Sequence, residues 1–383
     1  MSVRRRNRLL GGLMLLLGMT MCHPAQELPP GVQMPNVLFL YSFNDTFPWE
    51  WRFKKGLHYA LLHDVTASLR LYEETLDASR FEGEAYHKAL KDFFKRKYAA
   101  LPFSLVVAEN GPASEFLLDY PGLWGDASRL VVDPCLRVKR RIRTNHTAAL
   151  LSIPEEPAES LRQLIRVFHP RKVVVVGESK TEIARDVVHQ LRTQVKKRFE
   201  GVEIDYLLDR PIRQLQNRLA RLPEGTAVFY ALIFEDGKGR HYTPYQAVQL
   251  LAQTSSAPIF SHWDSLLGSG IAGGYMISSE EEGKLIGQEV MRIVRGEKVH
   301  SIEKNRLPYR HIYDWRILKR YNFSPRNFPA GSIVLHKPTS VWERYRTEFF
   351  VLAIFLSIAT TLVFCLATLR RSFLRRGGEP SDM

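Results

Sequence analysis

The sequence predicts an α/β protein of two Rossmann-like lobes with parallel sheets, followed by one C-terminal transmembrane helix. Three observations predict it. Short apolar runs rich in Val, Leu and Phe alternate with amphipathic helical stretches, and the alternation starts afresh halfway along the chain. About twenty uncharged residues run from Phe349 to Leu369, enough to cross a bilayer as a helix. A chain of 383 residues with 45% hydrophobic content has apolar material for two packed lobes and membrane segments.

The first half opens with an apolar strand, Asn36–Phe43, and a helix over Trp49–His63 spaced by Phe53, Leu57, Ala60 and Leu61. A strand at Leu69–Thr75, a helix at Glu82–Ala99, a strand ending at Asn110, a helix over Ala113–Leu118 and a strand at 129–133 continue the pattern. After Thr147–Ile153 and a helix over Ala158–Phe168, a second sheet begins with the four valines of Lys172–Gly177. Strands at Val202–Leu208, Thr226–Phe234 and Pro258–Ser261 extend it, with helices at Glu182–Phe199, Ile212–Leu222 and Pro244–Gln253 between them. Gly268–Ser278 is glycine-rich and reads as a return crossing toward the helix Gly283–Arg295.

The two ends carry topological signals. Arg4, Arg5, Arg6 and Arg8 precede an apolar run from Leu9 to Met21, the layout of a secretory signal peptide over residues 1–26. Arg370, Arg371, Arg375 and Arg376 follow the apolar stretch at 349–369, so the basic tail at 370–383 is expected inside and the rest outside. This implies a single-pass membrane protein with an extracytoplasmic main domain. The formal charge of +14 includes +4 from the leader arginines and +2 from the tail, leaving about +8 on the exported part. The basic run Arg137–Arg143 reads as a solvated face or an attraction to anionic lipid, and nucleic-acid binding is not expected of an exported domain. Cys365 lies in the span and Cys22 at the end of the leader, so Cys135 has no partner for an internal disulfide. Met19, Thr20 and Met21 fit a lipidation signal before Cys22 poorly.

Three segments carry a family resemblance: LFLYSFNDTFPWEWRFKKGL at 38–57, PIFSHWDSLLGSGIAGGYMIS at 258–278, and the stretch from Tyr313 to Arg346 that approaches the membrane helix. On these the chain resembles the periplasmic binding protein-like proteins of the type I class, which include ABC transporter substrate-binding proteins and bacterial sensor domains. The resemblance implies one lobe at 27–152, with a return segment at about 272–300, and a second at 153–271, with about 301–335. A connector at 336–348 leads to the span. It further implies a small-molecule ligand bound by hinge closure, with the signal passing to a separate membrane protein, a kinase or cyclase. The alternative is a tethered receptor serving an ABC permease. Sensor relatives carry an output domain after the span, whereas fourteen residues follow it here.

Ligands of doubly wound sheets bind beyond the C-terminal ends of the strands. That rule singles out Ser42, Phe43 and Asn44, then Asn110 and Gly111, in the first lobe. In the second lobe it singles out Glu178, Asp236, Trp263 and Asp264, with Tyr275 near the hinge. Each has a plainer alternative: Ser42 and Asn44 cap the helix near Pro48, Asn110-Gly111 and Glu235-Asp236-Gly237 make turns, and Trp49 and Trp51 pack. Carboxylates at 178, 235, 236 and 264 suit a cationic or polyhydroxyl ligand. The histidines lack the short spacings of a zinc site, Gly270–Gly274 is not a dinucleotide fingerprint, and no P-loop or Gly-x-Ser-x-Gly elbow is present, so neither a cofactor nor an enzyme activity is expected.

Overall fold

A computed structural model describes residues 34–376, except 65–67, 82, 133–135, 146–147, 154, 299–301, 304–308, 323–327 and 339–340. The expected signal peptide, Cys22, Cys135 and the end of the basic tail lie outside the described residues.

The first lobe is built from β1 (Asn36–Tyr41), α1 (Pro48–His63), β2 (Arg70–Thr75), α2 (Glu84–Lys97), β3 (Leu105–Glu109), α3 (Asn110–Asp119), β4 (Ser128–Val132), α4 (Leu136–Asn145) and β5 (Ala149–Ser152). Its strands are parallel in the order β2-β1-β3-β4-β5, a doubly wound arrangement. Because side chains alternate along a strand, Val37, Phe39 and Tyr41 join one core while Leu38 and Leu40 join another with Phe94, Phe116 and Trp124. Helices on both faces explain why β1 and β3 read as unbroken apolar runs.

The second lobe repeats this plan. It contains α5 (Pro157–Phe168), β6 (Lys172–Gly177), α6 (Glu182–Gln194), β7 (Arg198–Phe199), β8 (Val202–Leu208), α7 (Ile212–Leu219), β9 (Thr226–Tyr230), α8 (Pro244–Thr254), β10 (Ile259–Phe260) and β11 (Gly273–Met276). The parallel order β8-β6-β9-β10-β11 matches that of the first sheet.

Three further strands and three helices complete the described chain: α9 (Ser279–Val294), β12 (Ile302–Glu303), β13 (Arg310–Asp314), α10 (Trp315–Arg320), β14 (Ile333–Leu335) and α11 (Val341–Arg376). β12 pairs with β5 in the first sheet, whereas β13 runs antiparallel to β11 and carries β14 at the edge of the second. The crossing expected near 272 therefore falls later, since the glycine-rich segment contains a strand of the second sheet. That strand opens with two glycines because its neighbours come too close there for side chains. A Cβ on Gly273 would sit 2.1 Å from the Ile312 carbonyl oxygen, and one on Gly274 would sit 2.2 Å from that of Ser261.

After the crossing, α9 lies against α1 with backbone on backbone. A Cβ on Gly56 would meet the Glu280 carbonyl oxygen at 1.9 Å, and one on Gly283 would meet that of Phe53 at 2.0 Å. Glycine at both positions lets these helices approach, fixing α9 to the first lobe. At the far end, Arg344–Ser372 within α11 is long and apolar enough to cross a membrane, and no residue of its most apolar stretch is buried.

Candidate functional site

The C-terminal ends of both sheets face a shared cleft of about 650 Å³, counting the solvent at its mouth. From the first lobe the cleft receives Phe43 and Phe47 after β1, Trp49 and Glu50 from the first turn of α1, and Asn110 after β3. Glu155 comes from the crossing between β5 and α5. The second lobe supplies Ile183, Leu232, Phe234 and Tyr245, then Trp263, Ser265 and Leu266 after β10.

The lobes already touch across this cleft. The Trp49 amide donates to the Tyr245 phenolic oxygen at 3.1 Å, and the Phe47 and Tyr245 rings lie 6.0 Å apart. Behind them Arg52 of α1 pairs with Asp264 at 3.6 Å. Glu155 braces the crossing by accepting from the Trp263 indole at 3.2 Å and pairing with His262 Nε2 at 3.1 Å. His262 is fully buried, and burial pulls its imidazole below the ordinary value, against the opposing pull of Glu155. Leu232 holds a φ of +68°, a left-handed conformation that a branched side chain rarely adopts, at the point where the chain leaves β9 for the cleft.

Glu50 stands apart from the other polar groups. It has no exposed surface, and neither carboxylate oxygen has a hydrogen bond of normal geometry. Burial pushes its carboxyl well above the ordinary range, and the charge of Glu109 pushes it further. The Lys54 ammonium, the Phe43 amide and the N-terminal end of α1 pull the other way and do not prevail.

Of the residues expected from sequence to meet a ligand, Phe43, Asn110 and Trp263 line the cleft. The rest are engaged elsewhere. Ser42 donates to the Glu109 carbonyl at 2.6 Å and accepts from the Ala113 amide at 3.0 Å, tying β1 to α3 rather than capping the helix at Pro48. Asn44 donates to Asp77 at 2.7 Å and accepts from the Thr46 amide at 2.9 Å, which shapes its own loop. Gly111 is inside α3. Glu178 accepts from the Lys180 and Thr181 amides and the Thr181 hydroxyl ahead of α6. Asp236 accepts from the amides of Ile212, Lys238 and Arg240 at 3.2, 2.8 and 3.1 Å, and these bonds hold its carboxyl low against the cost of burial. Asp264 accepts from the Ser279 amide and hydroxyl at 3.2 and 3.1 Å where the chain crosses to α9. Tyr275 packs on Tyr309, with ring centroids 5.1 Å apart.

Trp49, read as packing, lines the cleft, and Glu50, Glu155 and Tyr245 were not singled out. Of these, only Trp49 and Glu50 carried a signal in sequence, an aromatic and an acid at the helix start directly after the first strand and loop. Among the described residues no three His, Cys, Asp or Glu side chains converge to hold a metal ion.

No protein-family model matches the chain, and no curated protein matches it. Solved structures do resemble it. A substrate binding protein with adhesive properties from Clostridium difficile, in a ligand-free open form, superposes with a TM-score of 0.57 at 12% identity, covering 80% of this chain and 100% of that one. The ABC domain in complex with L-Trp from Streptococcus pneumonia gives 0.55 at 11% identity, covering 76% and 95%. A conserved domain protein from Vibrio cholerae gives 0.55 at 12%, covering 79% and 99%. At such identities the likeness establishes the fold. The chain has the periplasmic binding protein-like fold of the type I class, with one C-terminal helix apolar enough to span a membrane.

Proposed function

We propose that the chain is an extracytoplasmic binding module that takes a small solute between its lobes, closes by hinge motion, and signals through α11 to a separate membrane protein. The observation that carries this reading is the cleft itself, lined from both lobes at the C-terminal strand ends and bridged by Trp49 and Tyr245. A solute touching both walls favours the closed arrangement by its differential affinity for the two states. In this reading the lobes lie on the periplasmic face of a bacterial inner membrane and the arginines after Leu369 lie inside, an orientation that the basic segment following the apolar stretch supports.

The test is a thermal-shift screen of the full chain in detergent against sugars, amino acids, amines, purines and organic acids. A ligand at a hundred times its Kd adds about 2.7 kcal/mol of stability. If no class raises the melting temperature, the reading fails. A second reading, a tethered receptor serving an ABC permease, draws on the substrate-binding and ABC descriptions of the two similar structures. Crosslinking in native membranes separates the two: capture of a kinase or cyclase supports signalling, and capture of a permease supports transport.

A further inference from the structure

We propose that the cleft selects an organic amine that carries no carboxylate, an arylalkylamine in size and shape, and that Glu50 is the counter-ion of its ammonium group. This rests on the solute-binding reading above and names the class of solute.

The argument starts from an orphaned acid. Glu50 is completely buried at the cleft wall, and neither of its oxygens has a hydrogen bond of normal geometry. A carboxylate shut away from water with no partner is costly, so such a group holds its proton until a cation arrives to share the site. The nearest ammonium on its own helix does not serve. Lys54, one turn on, is committed to Asp45 at 2.5 Å and lies 4.1 Å over the Tyr41 ring. Glu109, the neighbouring buried acid, adds repulsion rather than relief.

The remaining lining sets the shape and charge of the guest. Phe43, Trp49, Phe234 and Trp263 offer aromatic faces, which suit a flat apolar body and also attract a cation. The polar groups are Glu50, Glu155, Asn110, Ser265 and the Tyr245 hydroxyl, and no Lys, Arg or His is among the described residues that line the cleft. Arg52, the nearby guanidinium, is turned to Asp264. An amino acid would bring a carboxylate with no cation to receive it, close to two acids. An amine without that group meets no such penalty.

Isothermal titration of the full chain in detergent with tryptamine and 2-phenylethylamine tests this, against L-tryptophan, indole-3-acetate, glucose and N-acetyltryptamine. The expected result is binding of the two amines, with L-tryptophan and N-acetyltryptamine at least 100-fold weaker. Glu50→Gln should lower amine affinity about 100-fold, in keeping with loss of a buried charge partner, while its melting temperature is no lower than that of the wild type. N-acetyltryptamine, which keeps the ring and loses the charge, gives the same answer without any substitution. Amine binding that survives Glu50→Gln, or an amide or amino acid that binds as well as the amine, overturns the proposal. Binding of glucose or indole-3-acetate in place of the amines overturns it and leaves the solute-binding reading standing. Silence from these probes and from the wider thermal-shift screen overturns both.

Discussion

Arg52 on α1 and Asp264 at the end of the second sheet face each other across the lobe boundary at 3.6 Å. Asp264 also accepts from the amide and hydroxyl of Ser279, the first residue of α9, so one carboxyl joins both lobes and the crossing between them.

Asp264→Ala should therefore cost about 2–3 kcal/mol, because it strands a guanidinium and a buried amide together. Asp264→Asn keeps an oxygen for Ser279 and should cost less. Denaturant unfolding of the full chain in detergent measures both, and equal losses would show that the charge of Asp264 carries the whole effect.

Glu50 gives a pH dependence of defined sign. Its carboxyl is raised in the folded chain above the ordinary value of 4.5, so between that value and the folded one the native state holds more protons than the unfolded state. The stabilising contribution is complete below pH 4.5 and is lost as pH rises through the folded value. Glu50→Gln removes this loss, so its melting temperature relative to the wild type should climb with pH above 4.5 in the absence of ligand. A constant difference across pH would contradict the shift. The groups that act on Glu50 are Glu109 on β3, Lys54 on the same helix and Asp45 in the preceding loop, and Tyr245 feels its charge from the opposite wall.

His262 acts in the opposite direction. Its imidazole is held below 6.5 by burial, so the unfolded chain takes up a proton there that the folded chain refuses. Stability from this group is present above pH 6.5 and declines as pH falls below it. His262→Gln, which retains a donor for Glu155, should flatten that part of the stability profile, measured by urea unfolding at stepped pH.

Gly283→Ala tests the close approach of α9 to α1. Its new Cβ would lie 2.0 Å from a backbone oxygen of α1, which no rotamer relieves, so the helices must part. A loss of about 3 kcal/mol is expected. Gly296→Ala meets no atom within 4 Å but holds a φ of +98°, so a smaller cost there separates steric from conformational effects.

The parallel strands were legible because sheets covered on both faces need continuous apolar runs, and β1, β6 and β9 are such runs. β11 was not, because the closeness of β10 and β13 demands Gly273 and Gly274, which read as loop. β7 and β12, of two residues each, leave no periodic trace. At the candidate site, the strand-end rule picks out Phe43, Asn110 and Trp263, which line the cleft. It also picks out Glu178 and Asp236, whose carboxylates accept from nearby loop amides outside the cleft lining, because short acids after strands also hold turns and sequence does not distinguish an acid satisfied by its own loop from one awaiting a guest. Glu50, surrounded in sequence by Trp49, Trp51, Arg52 and Lys54, looked like part of an ordinary helix start.

The edge position of β14 decides which half of the molecule is leashed. β14 belongs to the second sheet and precedes α11 by a few residues, whereas β1, α1 and α9 belong to the first lobe. Whatever holds α11 therefore holds the second lobe, and under the proposed hinge closure the first lobe is the jaw free to move. A fluorophore on the exposed ring-bearing face of α1, at Tyr59 for example, would travel relative to the bilayer when the jaw moves, while one on β8 would stay nearly still.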